Sequence, residues 1–408
     1  MRSRSLLMIL CMALLLLTGC WNNRELGTLA IVTAIGLDKG KNQNEHVFSF
    51  QVVNPSAVIS GTVGQGDENM GPVTVYTETG ETLFEAARKA SHKAPRRLFF
   101  SHVRYIMIGE QLARQGINGV LDSFERSNEI RLTARLVIAK GRTAQEVLAI
   151  VTPMEKIPAT AGVGALEFSE ELWGESIKIE FDDVIRAIGN PGREPMISAV
   201  ELLGNPRAGQ RVENIQLTKP DVIEKIGGIG AFRTGKLVGW LEGEQARGVN
   251  WLHGSLKSSV LMVDCDGKKD QVGIEITRSK TDIQGKVVQG KPQITVTITE
   301  EASIADVKCA IHLSSPAVIY ELANKLEDKT MLQIMSAVKA AQQYKTDIFG
   351  FGEVIRRADP KAWGHLKLDW PDRFSQLPVE VKVKAFIRQP GMITEPYLLK
   401  RDKKVRNE

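Results

Sequence analysis

The chain has little of what metal, cofactor and hydrolytic sites are built from. Its 408 residues include four Cys and six His. No two His stand three or four residues apart, and neither His-Glu-x-x-His nor Cys-x-x-Cys occurs, so a zinc site has no local signature. No Gly-x-Ser-x-Gly elbow is present, and His253-Gly254-Ser255 alone falls far short of a triad. Neither sign of charge dominates. Lys and Arg number 53 against 48 Asp and Glu, a balance of +5 that argues against a nucleic-acid binder. Beyond residue 20 no apolar run approaches the roughly 20 residues needed to span a bilayer. Internal repeats and low-complexity runs are also missing. With 43% hydrophobic and 25% charged residues, disorder and fibrous architecture are excluded, and the length suits two or three globular domains.

What is present begins at the N-terminus. Arg2 and Arg4 precede an unbroken apolar run from Leu6 to Leu17, the length of a signal-peptide core. The run ends in Leu17-Thr18-Gly19-Cys20, the pattern of a bacterial lipobox. It predicts cleavage before Cys20, with diacylglycerol on the thiol and an acyl group on the new amino terminus. Two or three acyl chains anchor a protein stably where one does not. A plain secretory signal with a coincidental Cys20 is the alternative. At the other end, Lys400–Glu408 carries five basic and two acidic residues. This tail is either attracted to anionic lipid headgroups or simply solvated.

Between these ends, strands and short helices alternate. Leu29–Leu37 and His46–Val53 read as strands, and Asn54–Pro72, with six Gly and Pro, as a loop. Glu81–Ser91 is predicted helical, with Leu83, Phe84, Ala87 and Ala90 on one face. Val103–Ile108 is a short buried strand. Ile117, Val120, Leu121 and Phe124 form a helical stripe. Leu132, Leu136 and Ile138 alternate with Arg131, Thr133 and Arg135, so a strand returns after that helix. Asn190–Pro195 reads as a loop near a domain edge, and Gly227-Gly228-Ile229-Gly230 as a turn between strands. The latter lacks the Gly-Lys-Ser/Thr ending of a phosphate loop and the third glycine of a dinucleotide fingerprint. Val272–Thr277 and Ile294–Thr299 alternate as antiparallel strands. Ser315-Pro316 opens the longest helical pattern, with a break expected near Asp328. Val379–Ile387 is a half-exposed strand, so the last ~130 residues form an α+β unit.

Other candidate residues each have a plain reading. Asp182-Asp183 and Glu300-Glu301 are neighbours that do not face one another, so solvated positions account for them better than an acid/base pair. His102, after Phe99-Phe100-Ser101, suits a hydrogen-bonded position at a strand start. Trp240, Trp251, Trp363 and Trp370 are either interface anchors or core residues. Cys11 leaves with the signal peptide and Cys20 takes lipid, which leaves Cys265 and Cys309. An even pair in an exported domain invites a disulfide, and two separately buried thiols are the alternative.

Several of these segments together resemble the Ger(x)C family, the C subunits of spore germinant receptors. The resemblance is carried by Leu17-Thr18-Gly19-Cys20-Trp21, Arg24-Glu25-Leu26, Ala30-Ile31-Val32 and Ala34-Ile35-Gly36-Leu37-Asp38. Ser101-His102, Ile108-Gly109-Glu110 and Glu129-Ile130-Arg131 continue it. The second half adds Gly230-Ala231-Phe232, Lys236–Leu241, Glu244 with Arg247-Gly248 and Trp251, then Asp347–Gly352, Trp363, Trp370 and Phe374. Asn22 and Asn128 depart from the residues usual in the family. The resemblance implies a non-enzymatic lipoprotein on the outer face of the spore inner membrane, anchored through Cys20 and working with membrane A and B subunits. It brings no catalytic residue and no cofactor. It also implies a multi-domain α+β fold of three tandem mixed α/β domains with largely antiparallel sheets. The expected division is 1–19 (signal peptide), 20–195, 196–270, 271–398 and a basic tail, 399–408. An exported lipoprotein that presents a small nutrient to a transporter is a second reading of the same chain. A cell-wall hydrolase is a third, without the carboxylate pair or metal triad it would need.

Overall fold

The computed structural model describes residues 26–42, 44–59, 71–127 and 129–389. Cys20, its flanking motif, Asn22, Asn128, part of the 54–72 loop and the basic tail lie outside the described residues. The strands make two sheets. The larger follows the order β3-β2-β1-β5-β6-β7-β8-β9, with β4 off this path beside β1. These are β1 (Leu29–Lys39), β2 (His46–Val53), β3 (Val73–Gly80), β4 (Arg97–Phe99), β5 (Tyr105–Gly109), β6 (Arg135–Ala139), β7 (Met196–Gly204), β8 (Val222–Arg233) and β9 (Lys236–Leu241). The four central strands β1, β5, β6 and β7 run parallel, and antiparallel arms flank them on both sides.

A parallel centre must be covered on both faces. Helices Ala144–Leu148 and Pro158–Leu172 cover Tyr105, Met107, Val137 and Val200. Helices Leu83–Ala90, Glu110–Gln115, Asn118–Glu125 and Phe181–Ile188 cover the opposite face, where Ile106, Ile108, Leu136 and Ile138 point. The strand expected around Leu136 and Ile138 is β6, but its burial does not alternate. Leu136 to Ala139 are all buried, whereas Leu132 lies before the strand and is exposed. Double burial, rather than alternation, is the mark of a central parallel strand.

The second sheet has the order β10-β11-β12-β13: β10 (Ser259–Cys265), β11 (Lys268–Val288), β12 (Lys291–Val307) and β13 (Val379–Gln389). β10, β11 and β12 pair antiparallel. Gln289 and Gly290, both at positive φ, form the two-residue turn of the long β11–β12 hairpin. β13 joins β12 in parallel after a helical crossover. Ile294, Val296, Ile298, Ala302 and Ile304 face inward, and Thr297 and Thr299 face solvent. The long helix Pro316–Gln343 covers the inner face and runs without a break at Asp328, which sits on its exposed side. Pro316 opens it as expected, but the Ser315 side chain makes no cap hydrogen bond.

The mixed α/β character and the richly antiparallel sheets agree with the sequence reading. The division into units follows a different line. β7 pairs with β6 across residue 195, so the large sheet is continuous there. The expected middle unit, 196–270, is shared: β7–β9 complete the large sheet and β10 opens the small one. The Gly227–Gly230 run also differs from expectation. It lies inside β8, not in a turn, and Gly230 leaves room for Ile138, Leu237 and Trp240.

Candidate functional site

Several of the sequence motifs meet at the C-terminal ends of the parallel strands. Asp38, at the end of β1, accepts hydrogen bonds from the Ala144 and Gln145 backbone N–H groups at 2.8 and 3.0 Å. Burial pushes its carboxyl above the usual range, against the pull of those two donors. A Cβ on Gly109 would collide with the same carboxylate, which accounts for glycine there. Glu110 accepts from Gly141 N at 2.6 Å and from the Trp240 indole at 3.4 Å, and pairs with Arg114. Lys140 bridges Glu201 and Glu242 and lies over the Trp240 ring. Open α/β sheets commonly hold ligands at this end. Here these polar groups are engaged with one another.

A second cluster joins the two sheets. Asp347, fully buried, accepts from Phe351 N (3.0 Å), Gly352 N (2.7 Å) and the Trp370 indole (2.9 Å). Burial raises its pKa to about 6 despite these donors. The flanking segment is stitched to the large sheet. Thr346 donates its hydroxyl to Phe232 O, Glu194 N donates to Asp347 O at 2.9 Å, and Asn190 bonds Glu353. A Cβ on Gly352 would lie 2.7 Å from Gly192 Cα. The Asn190–Pro195 loop is therefore a seam holding both sheets together. The tryptophans serve this packing. Trp251, Trp363 and Trp370 are buried, with Trp363 and Trp370 edge to face at 5.0 Å, and Trp240 is half-buried.

No acid/base constellation assembles among the flagged residues. Glu300 points inward to Thr330 while Glu301 points outward to Arg388. Asp182 and Asp183 both pair with Arg186 at the start of their helix. His102 is exposed at the rim of a polar pocket of about 250 Å³ that also takes in Arg104, Arg131, Arg135, Glu167 and Glu180. Arg135 is already paired with both of those glutamates. Cys265 and Cys309 are joined by a disulfide, so their grouping with Asp266 offers no thiolate to a metal.

A cleft of about 1050 Å³ lies at the opposite, N-terminal end of β1. Gly27 and Thr28 line its edge, and buried Leu83, Ala94, Leu98 and Phe100 give it an apolar floor. Phe84 also lines it, 68% exposed, with the Arg88 guanidinium 4.8 Å over its ring. This corrects the helical face read from sequence. Leu83, Ala86 and Ala90 are the buried stripe of that helix, and Phe84 belongs to the cleft. Four arginines stand around it, Arg88, Arg96, Arg97 and Arg126.

The chain matches known proteins along most of its length. A model described as Spore germination protein N-terminal domain matches residues 22–202, and one described as Spore germination B3/GerAC like, C-terminal, matches 227–391. Spore germination protein KC of Bacillus subtilis (strain 168) is 34% identical over 394 residues, spanning 96% of this chain and 97% of that protein. The chain belongs to the GerAC family of spore germination proteins. Spore germination protein B3 of the same organism, another relative, is 25% identical over 381 residues, with 92% of this chain and 95% of that one covered. The crystal structure of the GerBC protein matches at a TM-score of 0.54 with 22% identity, over 88% of this chain and 98% of that one, and shares its fold. The two GerAC matches leave residues 203–226 between them, a stretch that spans the β7–β8 connection with the end of β7 and the start of β8, and not residue 195.

Proposed function

We propose that this GerAC protein is the lipid-anchored, non-enzymatic C subunit of a nutrient germinant receptor, acting in spore germination at the outer face of the spore inner membrane. The observation that carries the reading is the end-to-end match to spore germination protein KC, over 96% of one chain and 97% of the other. The Leu17–Cys20 lipobox supports anchoring through Cys20 as the acylated N-terminus. A body without a convergent catalytic constellation among the described residues suits protein–protein contacts, here with membrane A and B subunits. The Cys265–Cys309 disulfide is in keeping with an exported domain.

The test is nutrient germination of spores carrying Cys20→Ala, with the protein level in the inner-membrane fraction followed alongside. Loss of the protein from that fraction, with failure to answer one nutrient class while dipicolinate still triggers germination, is the expected result. Normal germination in both Cys20→Ala and deletion spores across a broad nutrient panel overturns the receptor reading. A single tight small-molecule site in the purified chain would then favour a solute-binding lipoprotein.

A further inference from the structure

The cleft at the start of β1 combines an apolar floor with a cationic rim, and its place in the chain limits what can reach it. Its lining includes four arginines and one carboxylate, Glu129. Arg97 pairs with that glutamate at 3.6 Å, and Arg126 is held by Asp122 at 2.9 Å. Arg88 and Arg96 are exposed and make no ion pair among the described residues. Between them the cleft presents Phe84, one of the most exposed large apolar side chains described. A site of this kind suits an amphiphile with an anionic head and an apolar tail.

Position selects which amphiphile. Gly27 lines the cleft, seven residues after Cys20. Seven extended residues span at most about 25 Å. With Cys20 acylated, as the proposed function has it, the cleft cannot stand farther than that from the membrane surface. We infer that it docks an anionic phospholipid of the leaflet that holds the anchor. The phosphate sits against Arg88 and Arg96, and Phe84 with the apolar floor receives the upper part of an acyl chain. The contact fixes the orientation of the large sheet on the membrane, which an acyl anchor on a short tether does not.

The inference is tested by co-sedimentation of the whole chain from Trp21 to Glu408, unacylated, with two kinds of vesicle. One is phosphatidylcholine alone, and the other contains one third phosphatidylglycerol. Binding is expected to favour the anionic vesicles and to fall at least about tenfold in R88E/R96E, two exposed substitutions, given roughly 1 kcal/mol per basic group near such a surface. Phe84→Ser is expected to weaken it a further few-fold without altering the charge. Truncation after Gln389 is expected to leave both effects in place, which separates the cleft from the basic tail. Equal binding to the two vesicles, variants that bind like the parent, or defects that vanish with the tail overturn the inference. So does capture of an acidic partner segment by the cleft in place of lipid. Vesicle binding by the unacylated chain is read independently of the Cys20→Ala spores, so each reading can fail alone.

Discussion

The indole Nε1 of Trp251 donates to the side-chain oxygen of Gln333 at 3.0 Å, tying the helix Glu244–His253 to the long helix of the second sheet. One turn earlier the two backbones touch. Gly248 lies against the Gln333 carbonyl, and a Cβ there would also fall 2.7 Å from Ala337 Cβ. The Gly248 and Trp251 of the family resemblance thus mark a helix–helix crossing, while Arg247 turns away to the Trp173 ring. On its large-sheet side the same helix holds the connection that follows the helix Pro158–Leu172, through Asn250, whose Nδ2 donates to Gly174 O and Ser176 O at 2.8 and 2.9 Å. One helix serves both sheets.

Gly248→Ala is therefore expected to destabilise the protein by about 1–3 kcal/mol, the range for overpacking in a close-packed site. Gly248 sits in mid-helix, where glycine itself is unfavourable by about 1 kcal/mol relative to Ala. On an exposed helix face the substitution would stabilise, so the sign of the change reports the contact. Urea denaturation followed by tryptophan fluorescence measures it. A neutral or stabilising outcome would mean that the helices separate at little cost.

How much of this was legible beforehand depended on whether the signal was local. β1, β2 and the helix bearing Val120, Leu121 and Phe124 follow from local signals, apolar runs with β-branched residues for the strands and an i, i+3, i+4, i+7 stripe for the helix. Partnership across the sheet is not local. β7 pairs with β6 more than fifty residues earlier, and a helix-to-strand loop such as Asn190–Pro195 has the composition of a linker. The helical pattern of the sequence places Phe84 on one face with Leu83, Ala87 and Ala90. In an eight-residue helix packed by Leu83, Ala86 and Ala90, the stripe is narrow and Phe84 falls outside it. The Asp347–Gly352 segment stood out in sequence, but its reason, a buried carboxylate collecting three N–H donors, emerges only when Trp370 folds back onto it.

The disulfide carries a second expectation. Cys265 ends β10, Cys309 follows β12, and the bond closes a loop across 44 positions of sequence. In the chain-entropy model a loop of that length is worth about 4 kcal/mol, through restriction of the unfolded chain. Cys265→Ser with Cys309→Ser should lower stability by about 2–4 kcal/mol and leave the fold intact, since both sites are small and flank a sheet already packed by Leu261, Val263, Val272 and Ile304. Thiol labelling of the chain purified from the exported fraction should find both cysteines protected until it is unfolded and reduced. Free labelling in the folded, unreduced protein would contradict the pairing.

Glu300 supplies a pH dependence whose sign can be worked out. Its carboxyl faces the core from β12, fully buried, with the Thr330 hydroxyl 3.2 Å from each oxygen. Burial, with a smaller push from Glu327, raises its pKa from 4.5 to about 8. At neutral pH the folded protein therefore holds a neutral acid where the unfolded chain carries a carboxylate. The contribution of Glu300 to stability is present in full below pH 4.5 and is lost as pH rises toward 8. Gln keeps the shape and an acceptor for Thr330 and has no proton to lose. Glu300→Gln should match the parent near pH 4.5 and exceed it progressively above, by an amount that linkage limits to roughly 5 kcal/mol at pH 8. Urea midpoints at pH 5, 6.5 and 8 measure the divergence. Parallel curves for the two proteins would show that water or a rotated side chain lets the carboxylate ionise in the folded state.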